Sequence, residues 1–301
     1  MTNRSIRTRP GATHSPRPRL GTLAAMIALA PAAHAGPEGA AVTAGQAQVA
    51  RLGTLTSIRQ QSNRAVIDWR SFNVGAAEAV SFIQPDARSA TLNRVLGSEG
   101  STILGRITAN GSVYLINPNG VLFGAGAQVN VGGLVASTAN ISNANFMAGN
   151  DRFDQPGNAN SRIENRGTIR VADRGIAALV GRQVSNTGFI VATLGKVALA
   201  AGDTFVLDLA GDRLVNLILD PAAMEQVTDA QGRPLSARVD NTGNIQANGG
   251  RIEFSADTIS RLLDNVINVQ GDVRAVSVES AGGVISLRGG ASTDIAIGGV
   301  L

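Results

Sequence analysis

Three phrases of one form recur in the second half of the chain: Asn165-Arg166-Gly167-Thr168-Ile169, Asn186-Thr187-Gly188-Phe189-Ile190 and Asn241-Thr242-Gly243-Asn244-Ile245. The first two lie 21 residues apart, the length of one coil of a β-solenoid, and a looser copy, Asn265-Val266-Ile267-Asn268, follows the third after 24. Each is trailed by a Gly and an apolar strand: Gly175-Ile176-Ala177-Ala178-Leu179, Gly195-Lys196-Val197-Ala198-Leu199, Gly250-Arg251-Ile252-Glu253-Phe254 and Gly283-Val284-Ile285-Ser286-Leu287. A unit this short cannot bury its own apolar face, so it stacks on copies of itself. Asn and Gly are read as the corners. An abrupt change of direction often passes through positive φ, which Gly accepts and Asn tolerates, and stacked Asn amides can bond one coil to the next. The longer interval from Asn186 to Asn241 holds one coil plus an insertion at 203–238. Within it, Phe205–Leu209 and Leu214–Ile218 read as a hairpin standing off the coil, and Ala222–Val227 as a helical turn.

The same grammar governs Leu115–Thr138, a stretch without a charged residue. Asn117-Pro118-Asn119-Gly120 suits a type I turn at every position, with Pro fixing φ at the second. Gly124 and Gly126 bend the chain again. Ala127, Val129 and Val131 then alternate with Gln128 and Asn130, the period of a strand with one buried face, and Gly132-Gly133 turns it once more. Residues 36–90 carry Trp69, Phe72 and Phe82, three of the ten aromatics, and read as a cap that plugs one end of the core. Between 140 and 160 the pattern dissolves into Asn, Ala, Asp and Gly, an excursion from the coil.

Composition agrees with a narrow all-β stack: 36 Gly, 3% aromatic and 16% charged residues. The net charge of +4 is concentrated at the start. Residues 1–35 hold Arg4, Arg7, Arg9, Arg17 and Arg19, then an apolar run from Leu20 to Ala30 and Ala33-His34-Ala35, the pattern of a cleaved secretory signal. Of 26 basic residues these five would be lost, leaving 21 against 22 acidic, so a nucleic-acid partner is not expected. The signal implies the Sec translocon as a first partner. Cysteine is absent, so stability rests on packing and ladder hydrogen bonds, and no disulfide locks the chain before it has travelled.

Several of these words resemble a known family. Asp68-Trp69-Arg70-Ser71-Phe72-Asn73-Val74-Gly75, Phe82 with Gln84-Pro85, Asn93-Arg94-Val95, and above all Asn117-Pro118-Asn119-Gly120-Val121-Leu122-Phe123-Gly124 running on to Asn130–Thr138 are similar to the N-terminal secretion domain of filamentous-haemagglutinin-like exoproteins. These are passengers of bacterial two-partner secretion, and the domain is also called the haemagglutination activity domain. The resemblance covers nearly all of 36–301. It implies a right-handed parallel β-helix with an N-terminal cap and extra-helical hairpins. It also implies recognition by the periplasmic domains of a dedicated outer-membrane β-barrel transporter, and a place at the surface of, or outside, a Gram-negative bacterium. Asn117, Pro118, Asn119 and Gly120 take the family's export signature. A second signature, Asn-Pro-Asn-Leu, has no copy, and Gln84-Pro85-Asp86-Ala87 is its nearest look-alike. Family members commonly run on into long adhesive or toxic repeats, so the chain is expected to be a short member or one part of a longer exoprotein.

Catalysis is not expected. Both histidines, His14 and His34, fall in the signal, which removes Ser-His-Asp and Cys-His chemistry and His-ligated zinc from the remainder. Lys196, the sole lysine, sits in an alternating strand. Asp203, Asp208 and Asp212 are the densest acids, and a solvated surface explains them better than a polysaccharide-cleaving site does. No cofactor and no metal is called for. Arg162, Arg166, Arg170, Arg174 and Arg182 fall in one section and are candidate contacts to host cell-surface glycans or receptors, against the plainer alternative of a solvated face.

Overall fold

The computed structural model describes residues 36–208, 214–218, 238–256, 267–277, 282–288 and 295–301. The signal expected at 1–35, Asp212, the turn at Ala222–Val227 and Asn265 lie outside them. Everything below concerns the unit from His34 onward.

The chain winds as a parallel β-helix with three faces. Sheet I contains nine strands among the described residues, sheet II nine and sheet III seven. One coil runs through all three: Ser101–Ile103 on sheet III, Arg106–Ala109 on sheet II and Ser112–Ile116 on sheet I. The next repeats the order with Val121–Phe123, Gln128–Val131 and Gly133–Ser137, each paired in parallel with its counterpart. Antiparallel strands occur at the N-terminal end, where Ala41–Ala44 covers the edge of sheet I and Ala47–Leu52 folds back on Leu55–Gln60 to cover sheet II. Exposed edges invite pairing with other chains, and this cap closes them. Trp69 and Phe72 meet edge to face under it, their centroids 5.4 Å apart, and both are buried.

The repeated phrases stack in register. Asn165 pairs with Asn186 and Asn186 with Asn241, and the Gly-led phrases align as Ile176, Lys196, Arg251 and Val284. The three asparagines form an internal ladder: Asn165 Nδ2 donates to Asn186 Oδ1 and Asn186 Nδ2 to Asn241 Oδ1, each at 2.7 Å, with all three side chains buried. The fourth rung is not the Asn265 copy. Val269 occupies the position after Asn241, so the phrase there is Val269-Gln270-Gly271-Asp272-Val273, and the interval is longer than expected. Val269 offers no acceptor, so the ladder ends there and Asn241 Nδ2 donates to the Gly243 carbonyl instead. Asn186→Val is expected to strand a donor on Asn165 and an acceptor on Asn241, costing about 2 kcal/mol. Chemical denaturation would read this as a lower midpoint at unchanged slope.

The corner glycines have a different cause from the one expected. Gly167, Gly188, Gly243 and Gly271 do not have positive φ. They are required by close approach: a Cβ on Gly188 would lie 2.2 Å from the Gly167 carbonyl oxygen, and one on Gly243 2.3 Å from that of Gly188. Left-handed backbone appears instead at the corner between sheets II and I, at Arg174 (φ 63°), Leu194 (φ 54°) and Gly249 (φ 68°), on successive coils.

Sheet I is apolar on both faces. Its inward residues, such as Ala177, Leu179, Val197, Leu199, Ile252 and Phe254, join the coil's core. Its outward residues, such as Val135, Ala178, Val180, Ala198 and Ala200, form a second cluster with elements that leave the coil. Near-continuous apolar strands are the expected text of a sheet covered on both sides. The covering comes from two insertions at the corner between sheets I and III. The 140–160 segment contains helix α1 (Asn143–Ala148), capped by the Ser142 hydroxyl and by Gly149 at φ 75°, and the short strand Arg152–Phe153. The second insertion contributes Thr204–Leu207 and Val215–Ile218, an antiparallel hairpin that pairs with Arg152–Phe153. Rather than standing off the coil, the hairpin lies on sheet I. Phe153 and Phe205 stack at 4.3 Å, and the buried Glu253 carboxylate accepts from the backbone N–H groups of Leu214 and Val215.

Candidate functional site

Asn117 follows the sheet I strand Ser112–Ile116 and Gly120 precedes the sheet III strand Val121–Phe123, so the four-residue motif is a coil corner. The Gly120 N–H donates to the Asn117 carbonyl at 2.9 Å, and Asn119 does not have positive φ, which together define a type I turn. Asn117 is fully buried. Its Nδ2 donates to the Glu99 carbonyl and to Ser101 Oγ, both at 3.0 Å, and its Oδ1 accepts from the Asn119 N–H at 2.9 Å. Asn119 Nδ2 reaches the Gly97 carbonyl at 2.9 Å. From the other side, the Asn158 N–H donates to the Pro118 carbonyl at 2.9 Å and its amide to Asn119 Oδ1. Gly120 has φ 106°, and a Cβ there would lie 2.7 Å from the Arg162 carbonyl oxygen. The turn is thus bonded to the preceding coil at 97–101 and to the returning excursion at 158–162. Its polar groups are occupied, as buried polar groups require.

The other words of the resemblance also meet in space. Arg94 Nη1 pairs with Asp68 Oδ1 at 3.0 Å, and the Trp69 indole N–H donates to Asn93 Oδ1 at 3.0 Å. Arg94 further donates to Asn140 Oδ1 (2.8 Å), the Ile141 carbonyl (2.8 Å) and Asn143 Oδ1 (2.7 Å), tying the start of the excursion to the coil. Beneath the end of α1, Arg64 donates to the Phe146 carbonyl at 2.8 Å and lies 3.8 Å from Asp151. Burial raises the pKa of Asp151 despite Arg64, and burial likewise raises that of Tyr114, whose hydroxyl faces Asp151. Gln84, in the look-alike tetrapeptide, is a second corner node: its amide donates to Thr91 Oγ1 (3.0 Å) and the Ser112 carbonyl (3.1 Å) and accepts from the Gly111 N–H (2.8 Å). Pro85, Asp86 and Ala87 beyond it are exposed.

The arginine section wraps around the coil. Arg162 and Arg166 border a polar groove of about 320 Å³ beside Asn119, with Glu99 and Glu164, and Glu164 hydrogen-bonds Arg166 at 2.6 Å and raises its pKa. Arg170 belongs to the sheet II strand Thr168–Val171, and Arg174 to the corner after it. Arg182 is engaged by Asp203 at 2.6 Å. A coil of about 20 residues passes three faces, so neighbours in sequence do not share a surface. Among the described residues no group of three or more His, Asp or Glu is placed to hold a metal ion, and no helix is long and apolar enough to cross a membrane.

Residues 33–299 match the family model described as TPS secretion domain. A heme/hemopexin-binding protein of Haemophilus influenzae (strain ATCC 51907 / DSM 11121 / KW20 / Rd) is 34% identical over 275 residues, covering 80% of this chain and 29% of that protein. Another H. influenzae protein of the same name is 48% identical over 85 residues, 28% of this chain and 9% of that protein. The crystal structure of the HMW1 secretion domain from H. influenzae superposes with a TM-score of 0.62 at 29% identity, covering 87% of this chain and 80% of that one. The chain spans less than a third of the length of these curated relatives.

Proposed function

This chain belongs to the TPS secretion domain family and is the secretion module of an exported two-partner protein, and from that premise we propose that Asn117-Pro118-Asn119-Gly120 is read while the chain is extended and is withdrawn when the coil forms. The observation that carries this reading is the state of Asn117: fully buried, with its amide bonded to Glu99, Ser101 and Asn119. A partner cannot reach that amide in the folded corner. The reader is a cognate outer-membrane β-barrel transporter, whose periplasmic domains pair with extended segments at a sheet edge. Delivery to the periplasm is by the Sec translocon, and the module folds coil by coil at the surface of a Gram-negative cell, where stacking retains what has crossed.

The test is a pull-down by the transporter's periplasmic domains. Urea-unfolded chain, diluted and captured at once, is expected to be retained, and folded chain to be lost. Asn117→Ala with Asn119→Ala is expected to weaken capture of the unfolded chain about tenfold, the effect of two or three lost amide hydrogen bonds at a solvated site, about 0.5 kcal/mol each. Equal capture of the double variant would leave the motif a folding role alone. Stronger capture of folded chain would overturn the order of events.

A second reading attaches to the complete exoprotein. The curated relatives are named for heme or hemopexin binding, and capture of such a ligand, or of a host receptor, is proposed for the whole protein rather than for this module. Among the described residues there is no His or Cys to ligate heme, and the one Tyr is buried against Asp151. No catalytic role is proposed.

A further inference from the structure

Among the described residues no insertion covers sheet II as sheet I is covered, and its outward side chains form rows along the stack. Parallel pairing places Arg106, Gln128, Thr168, Phe189 and Asn244 in one row, and Asn130 and Arg170 in the row beside it. Ten residues of the chain are aromatic, and nine of them are buried; Phe189 is the exception. Burying aromatics is the rule for this chain, so one left on an open face stands out. Arg59, Arg106 and Arg170 occupy every second strand of the sheet, and all three are exposed. They stand in different rows: Arg170 lies two residues and Arg59 four residues to one side of the Arg106 row, so Arg106 and Arg170 are about 12 Å apart by strand spacing and rise. No Asp or Glu occurs in any sheet II strand from Leu55–Gln60 to Asn244–Gln246. Outward positions of sheet III, by contrast, include Glu164 and Asp240.

We propose that the outer face of sheet II binds an acidic polysaccharide laid along the stacking axis. Phe189 takes the apolar face of one sugar ring. Arg106 and Arg170 meet anionic groups carried on alternate sugars, and Gln128, Asn130 and Asn244 offer amides to hydroxyls between them. Charge selects the ligand: from Leu55–Gln60 to Asn244–Gln246 the strands offer cations and amides but no carboxylate, which favours a polyanion, and Asp272, next along the Asn244 row, is paired with Arg274. Arg162, Arg166 and Arg174, the other glycan candidates, stand on other parts of the coil and do not contribute. This face is remote in the coil path from the Asn117–Gly120 corner, and its role does not depend on export.

The test measures binding of the folded chain to heparin and chondroitin sulfate oligosaccharides, with neutral dextran as control. Binding to the acidic sugars is expected, falling with salt as screened ion pairs do. Arg106→Ala with Arg170→Ala is expected to weaken it on the order of tenfold, and Phe189→Ala severalfold. Arg162→Ala with Arg174→Ala removes the same charge elsewhere and is expected to leave affinity within about twofold. Equal losses from both double variants, or none from the first, would overturn the proposal. So would equal retention on anionic phosphatidylglycerol vesicles, which would assign the face to a membrane surface. Retained β-sheet dichroism in every variant keeps the comparison one of binding.

Discussion

Asn117→Ala is expected to lower the unfolding free energy by about 3 kcal/mol, from two or three buried bonds at roughly 1–1.5 kcal/mol each. The substitution removes both donors that satisfy the Glu99 carbonyl and Ser101 Oγ, and it removes the acceptor of the Asn119 N–H. Water does not replace them, because the side chain has no exposure at all. Asn119→Ala is expected to cost about half as much, since Asn119 is partly exposed and solvent can reach the vacated partners. Urea unfolding checks both, with a lower midpoint at unchanged slope. Secreted yield should follow the same order, Asn117→Ala falling further than Asn119→Ala, because a coil that does not close does not hold the chain outside. A wild-type midpoint for Asn117→Ala would remove the structural basis of the motif.

Much of the coil was legible because its determinants are local. The alternation of Ala127, Val129 and Val131 sets a face, and the Asn-x-Gly phrases set a corner, so Asn165, Asn186 and Asn241 stack as their spacing predicts. Legibility failed where a determinant lies on another coil. At the fourth corner Val269 stands where the earlier coils have Asn, and what recurs is the following Gly271, whose Cβ would lie 1.8 Å from the Gly243 oxygen. Neither Arg174 nor Leu194 advertises left-handed backbone. That conformation is imposed by the corner, where the Leu194 N–H bonds to the Asn248 carbonyl of the next coil. Arg162 to Arg182 are close in sequence but lie on different faces of the coil, whereas the row joining Arg106 to Phe189 exists only once the register is known. Within 140–160 the composition of Asn, Ala and Gly concealed a capped helix, and the signals that mark it, Ser142 as N-cap and Gly149 as C-cap, are single residues.

Arg94→Met is expected to have a larger effect than Asn117→Ala. Arg94 is 11% exposed and its partner Asp68 16%. Removing one member of such a pair leaves a poorly hydrated charge and costs about 3–5 kcal/mol, more than the pair itself contributes. The loss is also directed. Asn140, the Ile141 carbonyl and Asn143 all give up the same donor, across separations of 46 to 49 residues. Helix α1 has six residues and cannot persist without tertiary support, and what remains is Phe146 against Tyr114 and Arg64 and the Asn143 amide donating to Thr43 Oγ1. Hydrogen exchange and limited proteolysis should therefore show residues 143–150 opening at a free energy well below that of the coils, which retain their own ladder. Adding Asp68→Leu removes the stranded carboxylate and is expected to recover part of the global stability without restoring protection at 143–150. That split separates a buried-charge penalty from a latch, and uniform loss or uniform recovery across the molecule would show that Arg94 does not hold the excursion down.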